Sequence, residues 1–448
     1  MFQILTKYRN DFRQNTILAL PIMAGQLGQT AVNVADNLMV GKLGASPLAA
    51  VSFANALFAI FFVVGMGISF ALPPLVSEAD GSGAHKGISQ YFKHSLVINS
   101  IFAVISVVVL LAGLPLLQYM GQEPSIIPLA KDYLVYTAWS VIPFMLFQTL
   151  RCYSDGMSET LLPMIIIISG NVLNIGLNYG LIFGNWGLPA LGVEGASVAS
   201  LIARWFMVVS MVVMLLYWKN LWSYIAACDF SKYQKAIFEK ILKLGIPTSL
   251  QMFFEVSAFS GAAIIMGLIS KEAQAGHQIA ISLASVTFMI CTGLAMAATI
   301  RVGNQLGKNN QVAMRSAGYS ALIQVTVIMA LAGLMFLMLR HELPLLYIKD
   351  TEVVSVASTL LICAAIFQIP DGIQVTAQSA LRGLQDVTVP TVVTFVSYWL
   401  IGIPVSYITA ITFEWGPIGV WIGLIVGLSI SAVLLSRRFG RLSRVRPH

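Results

Sequence analysis

Three acidic residues stand inside runs of apolar sequence: Asp36 in VNVADNLMV, Glu255 in SLQMFFEVSAFSG and Asp371 in AIFQIPDGIQV. None has a basic residue within the quoted run. A charge at the centre of a bilayer costs about 2.5–3.5 kcal/mol on insertion scales, so such groups face a cavity or a partner and mark function by default. Arg204 is the one basic residue read as lying at a similar depth within a span. A fixed ion pair could therefore silence at most one of the three acids. A carboxyl withdrawn from water can take up a proton near neutral pH. It can equally stay ionised and bind Na⁺ beside carbonyl oxygens, and it attracts organic cations either way. Two kinds of cation competing for one negative charge, in a protein that opens alternately to either side, would be exchanged for one another.

The segment GNVLNIGLN carries Asn171, Asn174 and Asn178 at i, i+3 and i+7, on one face of a helix. Amides in hydrocarbon need partners. This stripe could glue helices together, or it could face Asp36 and serve a hard cation or a protonated carboxyl. Phe253, Phe254, Phe259, Phe288 and Met289 lie near the acids and could form an adaptable wall for flat cations. Singly, each reads more readily as core or lipid-facing. Gln251 joins Phe253 and Phe288 as a candidate substrate contact.

The elements that must position these groups are membrane helices. Mean hydropathy is +0.82 and only 10% of residues are charged, against roughly 25% in soluble proteins. Twelve runs reach bilayer-spanning length, at 14–40, 49–75, 94–118, 129–152, 161–184, 191–218, 241–268, 276–302, 315–339, 355–381, 391–412 and 416–436. They leave almost nothing for a soluble domain. The first run is too long for a cleavable signal and no small-residue cleavage site follows it. Cys152, Cys228, Cys291 and Cys363 are isolated and form no metal or disulfide pattern.

The formal charge of +7 follows topology. Of the 26 Lys and Arg, 20 fall on the side holding both termini and the even-numbered loops, including Lys7, Lys232, Lys235, Arg437 and Arg446. Both termini are therefore expected in the cytoplasm, with no nucleic-acid partner implied.

The chain divides into an N-lobe at 1–218, a connecting segment at 219–240, a C-lobe at 241–436 and a basic tail at 437–448. An offset of 226 residues superposes Pro21 on Pro247, Gly41 on Gly267, Gly67 on Gly293, Ala71 on Ala297 and Val76 on Val302. An offset of 227 superposes Pro143 on Pro370, Gly156 on Gly383 and Pro163 on Pro390. The expected fold is all-α: two pseudo-symmetric six-helix bundles around a central cavity, an arrangement of transporters. Each half lacks the other's acids, since Gln29 stands opposite Glu255 and Phe144 opposite Asp371, so the halves are specialised. Two small-residue ridges, Gly176/Gly180/Gly184 and Gly419/Gly423/Gly427, read as helix-packing devices. DFSKYQKAIFEKILKLGIP reads as an amphipathic helix lying at the interface before span 7.

Several motifs together resemble the multidrug and toxic compound extrusion (MATE) family in its NorM-type bacterial branch. They are RVGNQLG at 301–307, SALRGLQDVTVP at 379–390, SDGMSETLLP at 154–163, FFEV at 253–256 and VADNLMVGKLG at 34–44. The resemblance covers the whole chain. It implies a monomeric inner-membrane antiporter, needing no cofactor, that exports organic cations and drugs in exchange for Na⁺ or H⁺. It also implies that Glu255 and Asp371 form the coupling-cation site of the C-lobe, where Na⁺ would be held. Asp36, Asn174 and Asn178 match the corresponding acid and amides of the N-lobe. Similar members often carry Tyr where this chain has Phe367, so one hydroxyl is missing here and H⁺ coupling stays open.

Rival readings fit less well. A lipid-linked oligosaccharide flippase of related fold would need a basic cavity for its pyrophosphate. A major facilitator carrier would show a basic loop between spans 2 and 3, where this chain reads VSEADGSGAHKGIS. A cation channel would keep the acids but seldom comes as a duplicated monomer, and no nucleophile–base pair or metal spacing suggests an enzyme.

Overall fold

A computed structural model describes residues 2–444, with side chains from Tyr8 onward. The side chain of Lys7, and Arg446 in the basic tail, lie outside the described residues. All regular structure among the described residues is helical. Twelve helices there are long and apolar enough to cross a membrane. Spans 1 to 6 are Tyr8–Gly41, Ala45–Gly81, His85–Tyr119, Ile126–Gly156, Leu161–Phe183 and Val193–Tyr217. Spans 7 to 12 are Lys235–Ile269, Lys271–Gly307, Gln311–Met338, Thr351–Gly383, Thr388–Thr412 and Gly416–Leu442.

The helices form two compact units whose boundaries fall inside helices. One unit is Ala24–Ser249; the other joins Met1–Met23 to Leu250–His448. In the first unit, span 4 packs against spans 2, 3 and 6. In the second, span 10 packs against spans 8, 9 and 12.

Each unit holds a stretch of the other half's first helix through a glycine. A methyl group added at Gly67 in span 2 would lie 2.3 Å from the Ser249 Cα in span 7. One added at Gly293 in span 8 would lie 2.4 Å from the Met23 Cγ in span 1. These are equivalent contacts, because the offset that pairs Gly67 with Gly293 also pairs Met23 with Ser249. Polar bonds reinforce them. Ser249 Oγ donates to the Val64 carbonyl at 2.8 Å. Arg301 of span 8 pairs with Asp11 at 2.5 Å and donates to Asn15 Oδ1 at 2.6 Å.

The segment before span 7 differs from the sequence expectation. A separate short helix is Lys219–Ala226, whereas residues from Lys235 run without a break into span 7, past Pro247. Proline is tolerated within a membrane helix when neighbouring hydroxyls satisfy freed carbonyls. Pro247 removes the amide that would reach Lys243 O, and in the adjoining turn Thr248 Oγ1 donates to Leu244 O at 2.7 Å and Ser249 Oγ to Gly245 O at 2.9 Å. The turn between the two helices is strapped to span 3. The fully buried Lys93 donates to the carbonyls of Asp229 (2.6 Å) and Lys232. His94 Nε2 accepts from the Gln234 amide at 3.0 Å.

The two glycine ridges diverge. Gly419, Gly423 and Gly427 bring span 12 onto span 11: added methyls would lie 2.5 Å from Ala410 N, 2.1 Å from Ser406 Oγ and 2.7 Å from Ser397 O. Span 11 is π-helical at Val396–Gly402 and Ile408–Thr412. The other ridge supports no helix pair. Gly180 and Gly184 instead admit the loop that follows span 5, against Leu188 and Ala190.

Candidate cation-binding sites

The Asp36 site is built within the unit Ala24–Ser249. Asp36 is half-buried near the end of span 1, and Asn178 of span 5 donates Nδ2 to its Oδ1 at 2.5 Å. The same Nδ2 reaches Asn174 Oδ1 at 3.1 Å, and Asn174 donates to Ser200 Oγ of span 6 at 3.3 Å. The asparagine spacing therefore brings Asn178 onto Asp36, with Asn174 linked through it. Asn171, one turn earlier, lies instead against Gly28, where an added methyl would be 3.1 Å from its Nδ2.

Arg204 is less simple than a counter-ion for Asp36. Its charge acts on Asp36 and on Tyr133. Its guanidinium, however, donates to Ser140 Oγ at 2.5 Å and lies over the rings of Phe58 and Phe144, at 5.1 and 5.5 Å. No ion pair joins it to Asp36 among the described residues. Tyr133, whose hydroxyl donates to Asn55 Oδ1 at 3.2 Å, is a member of this neighbourhood that the sequence reading missed.

Glu255 and Asp371 lie in the other unit. Asp371, only 3% exposed, is carried by span 10 one residue after Pro370. Glu255 is half-buried on span 7. The charge of Glu255 acts on Asp371, and both acids act on Tyr398 of span 11. Arg382, at the far end of span 10, also acts on Glu255. The expectation that Arg204 is the only in-span cation is thus corrected. Arg151, Lys93, Arg301 and Arg382 are also within the helices, near their ends, where sequence boundaries are least sharp.

Around Asp371, Gln368 one turn earlier is fully buried and donates Nε2 to Thr287 Oγ1 of span 8 at 2.6 Å. Phe367, 3% exposed, packs edge-on against Phe259 and Trp421, with centroids 6.0 and 5.4 Å apart. Gln251 is 1% exposed and donates to Thr394 Oγ1 at 3.2 Å, which places it inside the bundle rather than on an accessible wall. Phe254 packs on Phe395 at 4.9 Å, whereas Phe253 is 40% exposed. Phe288 and Met289 are half-buried. Among the described residues, no group of three or more His, Cys, Asp or Glu side chains is assembled for a metal ion.

Twelve membrane helices carrying buried carboxylates, arranged as a repeat, define a polytopic membrane transporter. The MatE family model matches the chain twice, over residues 21–180 and 247–408, the same offset that pairs Pro21 with Pro247. A multidrug resistance protein NorM of Photobacterium profundum is 35% identical, with 96% of this chain and 95% of that protein covered. A multidrug resistance protein MdtK of Pectobacterium atrosepticum is 32% identical over 98% of this chain and 97% of its own. Among solved structures, MATE in the bent conformation matches with a TM-score of 0.89 at 20% identity, covering 98% and 97% of the two chains. A eukaryotic MATE transporter matches with a TM-score of 0.85 at 22% identity, covering 98% and 99%. The chain belongs to the MATE family of transporters, in its NorM-type branch.

Proposed function

We propose that this chain is a secondary antiporter of a bacterial inner membrane, with both termini in the cytoplasm. It exports small organic cations and drugs in exchange for inward Na⁺ or H⁺, as a monomer and by alternating access. The observation that carries this reading is a contrast between acids. Asp155, Asp11 and Asp386 each have a fixed cation, Arg151 at 3.5 Å, Arg301 at 2.5 Å and Arg438 at 2.5 Å. Asp36, Glu255 and Asp371 have no ion-pair partner among the described residues. Charges left uncompensated in a membrane helix suit a counter-ion that arrives and leaves. The names of the NorM and MdtK relatives support the drug substrate. Phe253, which keeps exposed surface beside Glu255, is the aromatic that best suits a substrate contact.

The membrane potential adds about 2.3 kcal/mol per charge per 100 mV, enough to drive export when one or two cations move inward. Ethidium efflux from proteoliposomes, driven separately by a Na⁺ and by a pH gradient, tests the reading. Glu255→Gln and Asp371→Asn should abolish driven efflux with protein levels maintained, and Asp36→Asn should impair it. Full activity in the first two would place the coupling site elsewhere.

A further inference from the structure

Phe367 lacks a hydroxyl, yet the same aromatic cluster holds another one. Phe259, one turn beyond Glu255, packs edge-on against both Phe367 and Tyr398, with centroids 6.0 and 6.1 Å apart. Tyr398 is 1% exposed, and its hydroxyl has no hydrogen-bond partner among the described residues. Leaving such a group unmatched inside a protein costs about 1–3 kcal/mol. It sits in the π-helical segment Val396–Gly402, and π-bulges of this kind are frequent at functional sites. The side chain of Gln368 makes the same point. Its Nε2 is committed to Thr287, while its Oε1 is buried without a partner. Gln368 and Asp371 are three residues apart on span 10 and so share a face.

We propose that the Tyr398 hydroxyl and the Gln368 carbonyl are the neutral oxygen ligands that complete a Na⁺ site with Glu255 and Asp371. This rests on the coupling role proposed above for the two acids. A hard monovalent cation needs several oxygens, and two carboxylates alone supply too few while overcompensating its charge. A proton needs only one carboxylate. The neutral oxygens therefore bias this site toward Na⁺. The electrostatic coupling of Tyr398 to both acids agrees with the placement. Span 12 backs the segment that carries Tyr398, because Gly427 lets its backbone approach the Ser397 carbonyl.

Tyr398→Phe removes one oxygen and little volume. The test is the initial rate of ethidium efflux from proteoliposomes against external Na⁺ at fixed pH, with thermal unfolding as a control. The Na⁺ concentration for half-maximal rate should rise about tenfold, the usual scale for one lost bond to a charged group. Adding Phe367→Tyr to that variant should recover at least half of the shift, because the hydroxyl returns on a ring packed against the same Phe259. Should Tyr398→Phe fail to accumulate, Phe367→Tyr alone should lower the half-maximal Na⁺, and no change would overturn the proposal. A Na⁺ dependence within twofold of the parent in Tyr398→Phe, with Glu255→Gln and Asp371→Asn inactive, removes the proposal and leaves the coupling role standing. Driven efflux in those two acid variants removes the coupling role itself. A parent that responds to the pH gradient alone also sinks the Na⁺ site.

Discussion

Asn178 donates to Asp36 across spans 5 and 1 at 2.5 Å, and the same nitrogen reaches Asn174. One amide therefore orients the carboxylate and ties it to a second amide on its own helix. Asn178→Ala should cut driven ethidium efflux by roughly tenfold, since a hydrogen bond to a charged group is worth about 1.5–3 kcal/mol. Asn171→Ala, which lies off this chain of bonds, should leave the rate within about twofold. Equal losses in the two variants would mean that the stripe only packs.

Gly67 and Gly293 bring equivalent contacts, but their neighbours differ in rigidity. A methyl at Gly67 meets the Ser249 backbone at 2.3 and 2.6 Å, whereas at Gly293 the nearest atom belongs to the Met23 side chain. Gly67→Ala should destabilise the purified protein by about 1–3 kcal/mol, the usual cost of overpacking. Gly293→Ala should cost less because Met is adaptable. Thermal unfolding in detergent decides the order.

The glycine ridges predict opposite tolerances. Gly423→Ala drives a methyl to 2.1 Å from Ser406 Oγ and 2.3 Å from its amide nitrogen, and should strongly lower the unfolding temperature. Gly176→Ala meets only the Trp186 ring at 4.0 Å and should be neutral or slightly stabilising, because alanine is the better helix former. Comparable losses at both would restore a packing role to the first ridge.

Lys93 holds the turn between the Lys219–Ala226 helix and span 7 through two carbonyls. Lys93→Met leaves both without their donor, at about 1–3 kcal/mol for each that stays dry. Limited trypsin digestion should then cut after Lys232 faster than in the parent. An unchanged rate would show that the remaining bonds suffice.

Much of this architecture is legible in the sequence because hydropathy and repeat register report backbone geometry. Val76 and Gly156 recur as Val302 and Gly383, and each pair is a contact: the added methyl meets valine Cβ at 2.8 Å in one unit and 2.9 Å in the other. The Asn174/Asn178 spacing reports a shared face, which is why its approach to Asp36 could be anticipated. Other features carry no local signal. The crossing of Met23 and Ser249 into opposite units depends on long-range packing. Tyr398 looks like any aromatic in an apolar run until its buried, unmatched hydroxyl is seen on a ring packed against Phe259. Lys93 and Arg151 read as marginal charges because one falls just before the span expected at 94–118 and the other at the end of that expected at 129–152, whereas the helices run on past both limits. Gly180 and Gly184 fit the small-residue pattern although the groove they form admits a loop.

The boundaries at Met23 and Ser249 bear on how such a chain can be assembled. Cutting it in the connecting segment would produce two fragments, each lacking a stretch of helix that its own bundle needs and exposing one that belongs elsewhere. Neither fragment should mature alone, and co-synthesis should rescue both. The ancestral duplication would then have been fixed as an exchange of arms, binding the two copies to a common fate.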